Sequence, residues 1–151
     1  MLTNSDEEPL GFLLLDVTRS LRARIDEALE RAGLGLTPGE ARTLVHAARF
    51  GSVHQRALAG EMGIEPMTLV RYLHRLEERG LIRREVDPDD RRANRIHVTP
   101  AARASLREVR NLARRVREEA MRGLSPAEIA ALRSSLLTMR ANMTAKRSEA
   151  V

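Results

Sequence analysis

At 151 residues without cysteine, the chain is long enough for a hydrophobic core and has no means of forming disulfides, thiolate metal sites or thiol redox sensors. Hydrophobic residues make up 42 % but aromatics only 2 %, so the core must be built from Leu, Ala, Val, Ile and Met, which suits helices. The net charge of +5 rests on 25 Arg and one Lys and favours an anionic partner such as nucleic acid, though the position of each arginine says more than the total.

No membrane span is expected, since the longest apolar run near the start is Phe12-Leu13-Leu14-Leu15. Residues 1–9 hold Asp6, Glu7 and Glu8 and no basic residue, which is not a signal-peptide pattern. The expected location is cytoplasmic.

A first helix is predicted over residues 8–32, where Leu10, Leu14, Val17, Leu21, Ile25 and Ala28 form a stripe that Gly33 ends. Thr37-Pro38-Gly39-Glu40 reads as a capping box with proline at the first helical position. It opens a second helix to about Arg49, and Gly51 breaks it. From Val53 to Thr99 the pattern is a short helix, a tight turn, a longer helix, and two strands joined by a charged loop. Leu58 and Met62 lie one turn apart in the short helix, and Gly63 can take the positive φ that turns the chain. Pro66 suits the first turn of the longer helix, whose Leu69, Leu73 and Leu76, with Val70 alongside, form an inward face. Gly80 follows it at the position of a helix stop. Leu81, Ile82 and Val86 start a strand, and Asp87-Pro88-Asp89-Asp90 is a turn-forming cluster. Ile96 and Val98 alternate with Arg95, His97 and Thr99, which is the period of a second strand. This is the pattern of a winged helix-turn-helix.

Thr99-Pro100 opens another helix to about Arg122, which Gly123 stops, and Ser125-Pro126-Ala127-Glu128 is a second capping box opening the last helix. Leu106, Val109, Ala113, Val116 and Ala120 form one seam, and Ile129, Leu132, Leu136, Met139 and Met143 another. Such seams need a partner helix. The fold class is therefore mainly α (α+β), one chain over 1–151, with a DNA-binding module at 37–99 and dimerisation helices at 8–35 and 100–147. The surplus apolar surface predicts a homodimer whose interface includes Leu14, Val17, Val116, Ile129, Leu132, Leu136 and Met139. The alternative is a monomer in which the terminal helices fold back on the winged module.

The order helix, helix, winged helix-turn-helix, helix, helix resembles the multiple-antibiotic-resistance regulator (MarR) family over roughly residues 8–147. The segments LAGEMGIEPMTLVRYLHRLEERGLI (58–82) and DPDDRRANRIHVTPAAR (87–103) carry the resemblance. It implies a dimeric, cytoplasmic, DNA-associated transcription regulator of a bacterium or archaeon, usually a repressor, that many members release on binding a small, often aromatic anion. One departure is visible: the family usually reads Thr-x-x-Gly after the wing, and here the glycine is Ala102. Ala is the better helix former at a helix start, so no functional loss is expected.

On the longer helix, Met67, Thr68, Arg71, Tyr72 and Arg75 are expected on the face away from the leucines. Thr68, Arg71 and Arg75 are candidates for bases or phosphates, Met67 for a thymine methyl, and His74 for phosphate. A solvated helix surface is the bland reading, which the position after the turn disfavours. Arg91, Arg92 and Arg95 supply the wing, and the resemblance implies that Arg92 or Arg91 enters the minor groove while Asp90 holds the loop through an ion pair. Asp87, Asp89 and Asp90 would repel phosphate if they pointed outward, so all are expected inward or paired.

His46, His54, His74 and His97 form no close-spaced ligand set, so no metal and no cofactor are expected. No Gly-rich phosphate loop, Ser/His/Asp spacing or zinc motif appears, and the chain is not expected to be an enzyme. Phe12, His46, Arg49 and Phe50 are candidates for an effector pocket, offering two rings and two basic groups to an aromatic acid. The expected partners are a pseudo-palindromic duplex operator, a second copy of the chain, and such an acid, with no membrane. Two other functions fit a winged helix: a protein-interaction module, and an architectural DNA binder with little sequence preference.

Overall fold

The computed structural model describes residues 8–148, with side chains through Thr144. The described elements are α1 (Leu10–Ala32), α2 (Pro38–Phe50), β1 (Ser52–His54), α3 (Gln55–Met62), α4 (Pro66–Glu78), β2 (Ile82–Val86), β3 (Asn94–Val98), a 3-10 turn (Pro100–Ala102), α5 (Arg103–Ala120) and α6 (Pro126–Ser148). The chain is mainly helical with a small antiparallel sheet, as the residue patterns predict. The sheet has three strands in the order β1-β3-β2. β1 has no counterpart among the predicted strands: it is only three residues long, and its partner lies across the helix-turn-helix. Val53 pairs with Ile96 on β3, and both are buried.

Both capping boxes form. The Thr37 hydroxyl accepts the Glu40 amide (3.3 Å), and the Glu40 carboxylate accepts the Thr37 amide (3.0 Å). Ser125 and Glu128 repeat the arrangement at the start of α6. These reciprocal bonds satisfy amides that a helix start leaves without partners. The Ser125 amide and hydroxyl also hold the Glu128 carboxyl below its usual range.

Residues through Val116 form one compact unit, and those from Arg117 form another. The first unit holds the core. Leu69, Leu73 and Leu76 of α4 are fully buried, together with Leu44, Leu58 and Ile96. Burying each leucine is worth roughly 1.5–3 kcal/mol relative to leaving it in water, and this fixes which face of α4 turns outward. The core reaches past the winged module on both sides: Leu29 of α1 and Leu106 and Val109 of α5 belong to it. Ala102 is buried in the 3-10 turn, with no positive φ that would call for the family's glycine.

At the other end of α4, Gly80 adopts φ 68°, and the Leu81 amide returns to the Leu76 carbonyl (2.9 Å). Glu77 then clamps the helix to β2, accepting the Arg84 amide (3.0 Å) and its Nε (2.9 Å). The Arg84 guanidinium holds the Glu77 carboxyl below the usual range. Helix and wing are thereby anchored to one another.

Candidate nucleic-acid interface

The turn between α3 and α4 is made by Gly63 at φ 62°, after which Pro66 starts α4 without an N–H to satisfy. With its leucines inward, α4 exposes Met67 (72 %), Arg71, His74 and Glu78. Thr68 is half-buried. Arg71 has no ion-pair partner among the described residues, so its guanidinium projects unengaged from the centre of the outer face. His74 Nδ1 lies 3.4 Å from Glu78, one turn along. Arg75 is exposed but reaches sideways, with Nη1 3.4 Å from the buried Glu40 of α2. Tyr72 departs from expectation: its ring packs against Gly39, where an added Cβ would lie 2.3 Å from Cζ. The tyrosine belongs to the α2–α4 contact and not to the outward face.

The wing is the loop between β2 and β3. Its base is closed by the Asp87 amide donating to the Ala93 carbonyl (2.9 Å). Asp87 is 2 % exposed. One carboxylate oxygen accepts the amides of Asp89 (2.8 Å) and Asp90 (3.3 Å); the other accepts Arg95 Nε and lies 3.3 Å from His54 Nε2. The Asp89 amide, and after it Arg95, holds this carboxyl below its usual range. The ion pair expected of Asp90 is thus made by Asp87, to Arg95. Asp90 shapes the loop through a different bond, accepting the Arg92 amide (3.0 Å). Only one of the three aspartates turns inward; Asp89 and Asp90 are exposed. Asp87 is covered by its own partners, the Asp89 and Asp90 amides of the turn, Arg95 of β3 and His54 of β1, although Glu85, two residues earlier on the same strand face, is exposed. Arg91 and Arg92 occupy the exposed tip, and Arg95 braces its root.

Between the wing and the starts of α3 and α4 lies an open cleft of about 800 Å³, lined among others by His54, Arg56, Pro66, Arg92 and Asn94. Arg56 is not among the residues that the sequence pattern singles out. It stands in the first turn of α3 and lines the cleft together with Arg92 of the wing.

The candidate effector residues divide. His46, Arg49 and Phe50 share the last turns of α2, where the Arg49 guanidinium sits 5.7 Å from the Phe50 ring centroid. Burial, and then the Arg49 charge, hold His46 below the usual imidazole range. Phe12 stands on the first turn of α1, 61 % exposed. No group of three His, Cys, Asp or Glu among the described residues could hold a metal ion, and no described helix is long and apolar enough to cross a membrane.

The sequence profile of the MarR family matches residues 36–94, which run from the start of α2 into β3. Among solved structures, the transcriptional regulator PA3341 is 36 % identical, with 90 % of this chain and 98 % of that one covered and a TM-score of 0.76. A probable transcriptional regulator from Pseudomonas aeruginosa is 31 % identical over 90 % of this chain and 99 % of that one, with a TM-score of 0.68. The chain belongs to the MarR family. A structure of MarR itself is 27 % identical, covers 99 % of both chains and gives a TM-score of 0.82, so the MarR architecture extends beyond the profile match to α1, α5 and α6. The winged helix is accordingly the DNA-binding fold of a MarR-family transcriptional regulator.

Proposed function

We propose that the chain represses transcription as a homodimer that binds a specific duplex operator. The observation that carries this reading is the shared anchoring of two basic surfaces: the outer face of α4, with Arg71 unengaged at its centre, and the Arg91–Arg92 tip of a wing rooted on buried Asp87. A helix of this exposure fits a major groove, and an arginine-tipped hairpin fits the adjacent minor groove. In this mechanism Met67, Thr68, Arg71, His74 and Arg75 meet the major groove, Arg91 and Arg92 the minor groove, and Arg95 supports the wing from its root. Two-fold symmetry sets the recognition helices about 34–36 Å apart, one turn of DNA.

The wing's share is read from salt dependence. Arg92→Ala, with Arg91→Ala beside it, should weaken binding and reduce the slope of log K against log salt by about one unit per lost phosphate contact. Asp87→Ala should weaken binding more than Asp90→Ala, because it frees the root as well as the tip. An unchanged slope in both arginine variants would remove the wing from the interface.

The proposal includes control by a ligand. An aromatic acid held by the His46, Arg49 and Phe50 group would favour one separation of the recognition helices over another, and only a ligand with such a preference shifts DNA affinity. Millimolar salicylate should release the operator, and Arg49→Ala should blunt the release. If neither DNA affinity nor melting temperature responds to any aromatic acid, the effector site is elsewhere or absent and the DNA-binding reading stands.

A further inference from the structure

One flank of α4 is tied to the corner that leads into α2 by three consecutive contacts. The Tyr72 ring fills the space that a side chain at Gly39 would need. Arg75 Nη1 reaches Glu40 at 3.4 Å. Arg79 Nη1 donates to the Gly35 carbonyl, and Gly35 itself sits at φ 70°. Residues 72, 75 and 79 share a helix face by their spacing of three and four. Their partners all lie within residues 35–40.

Glu40 is the unusual member. It is 3 % exposed, and a carboxylate is costly to bury. Capping does not explain the cost, because a glutamine closes a capping box as well as a glutamate. The first turn of α2 favours a negative charge, and the charged side chain placed against it is Arg75, which remains 65 % exposed at the edge of the outer face of α4. A long side chain left to itself would lose rotamer freedom on meeting DNA, and a guanidinium fixed in advance loses less.

We propose that Glu40 is a positioning residue for DNA recognition: its buried carboxylate holds the Arg75 guanidinium in place, so base preference under Arg75 depends on a side chain that does not touch DNA. This rests on the DNA-binding reading given above. The Tyr72 and Arg79 contacts complete the clasp by fixing the helix that carries Arg75.

The test measures wild type, Glu40→Gln, Arg75→Ala and the double variant against the duplex selected by the wild type and against a scrambled duplex, with melting temperatures in parallel. Glu40→Gln should fold, since the amide oxygen still caps Thr37. The ratio of selected to scrambled affinity should fall about tenfold. Scrambled binding should stay level or tighten, because a negative charge behind the basic face has been removed. In the Arg75→Ala background the same substitution should change the ratio no further. A wild-type ratio in Glu40→Gln, or an equal loss in both backgrounds, overturns the proposal. A second measurement needs no variant. In the free wild-type protein, nitrogen-15 resonances of the Arg75 guanidinium should show slowed rotation while those of Arg71 rotate freely; equal rotation overturns the clasp. Should the wild type prefer no duplex at all, the DNA-binding reading fails, and the guanidinium measurement still judges the contact to Glu40.

Discussion

Arg71→Ala should cost operator binding about 1–3 kcal/mol for each lost base contact, and a two-fold complex loses the contact twice. The arginine projects unpaired among the described residues from the outer face of α4, while the three leucines opposite are fully buried. Truncating it removes no internal bond, so the melting temperature should hold while affinity collapses. Combining it with Arg75→Ala should bring the selected duplex down toward scrambled affinity. That second change also strips Glu40 of its cation, so a small thermal loss is expected from it and not from Arg71→Ala. Retention of wild-type affinity by the double variant would take α4 out of the groove.

Leu132→Glu should convert the protein to monomers or unfolded chain. On α6, Leu132 (44 % exposed), Leu136 (42 %) and Met139 (39 %) stand uncovered in the single chain, with Ile129 half-buried. On α1, Leu15 (68 %) and Val17 (55 %) are likewise bare, while Leu14 is half-buried. Apolar rows of this length belong against partner helices. A carboxylate buried there without a cation costs several kcal/mol, once per subunit. Analytical ultracentrifugation over a dilution series is the measurement: the wild type should sediment as a dimer, and the variant should not. A wild-type protein that remains a folded monomer throughout would show that these rows serve another purpose.

How much of this was legible in the residues depends on how local the cause is. The leucine spacing of α4, its proline start, the glycine turns and both capping boxes are short-range features, and each formed as read. β1 escaped because three residues are too few to show a period of two, and its pairing with β3 is long-range. The choice among Asp87, Asp89 and Asp90 could not be made from turn propensity, because what selects Asp87 is its contact with Arg95 and His54 on two other strands. Tyr72 looked outward by helix geometry alone; the hint was Gly39, an odd residue for the first turn of a helix unless something must approach its backbone. The sideways reach of Arg75 had no sequence signal, since Glu40 already had a local role in the capping box.

Binding selection from random duplex DNA decides whether a symmetric pair of these winged helices reads a DNA sequence. The wild type should enrich a pseudo-palindrome whose half-site centres lie about 10–10.5 base pairs apart, or a multiple of that spacing, and Arg71→Ala should lose the enrichment. Recovery of unenriched sequences, bound no better than the starting pool, would contradict sequence reading by such a pair.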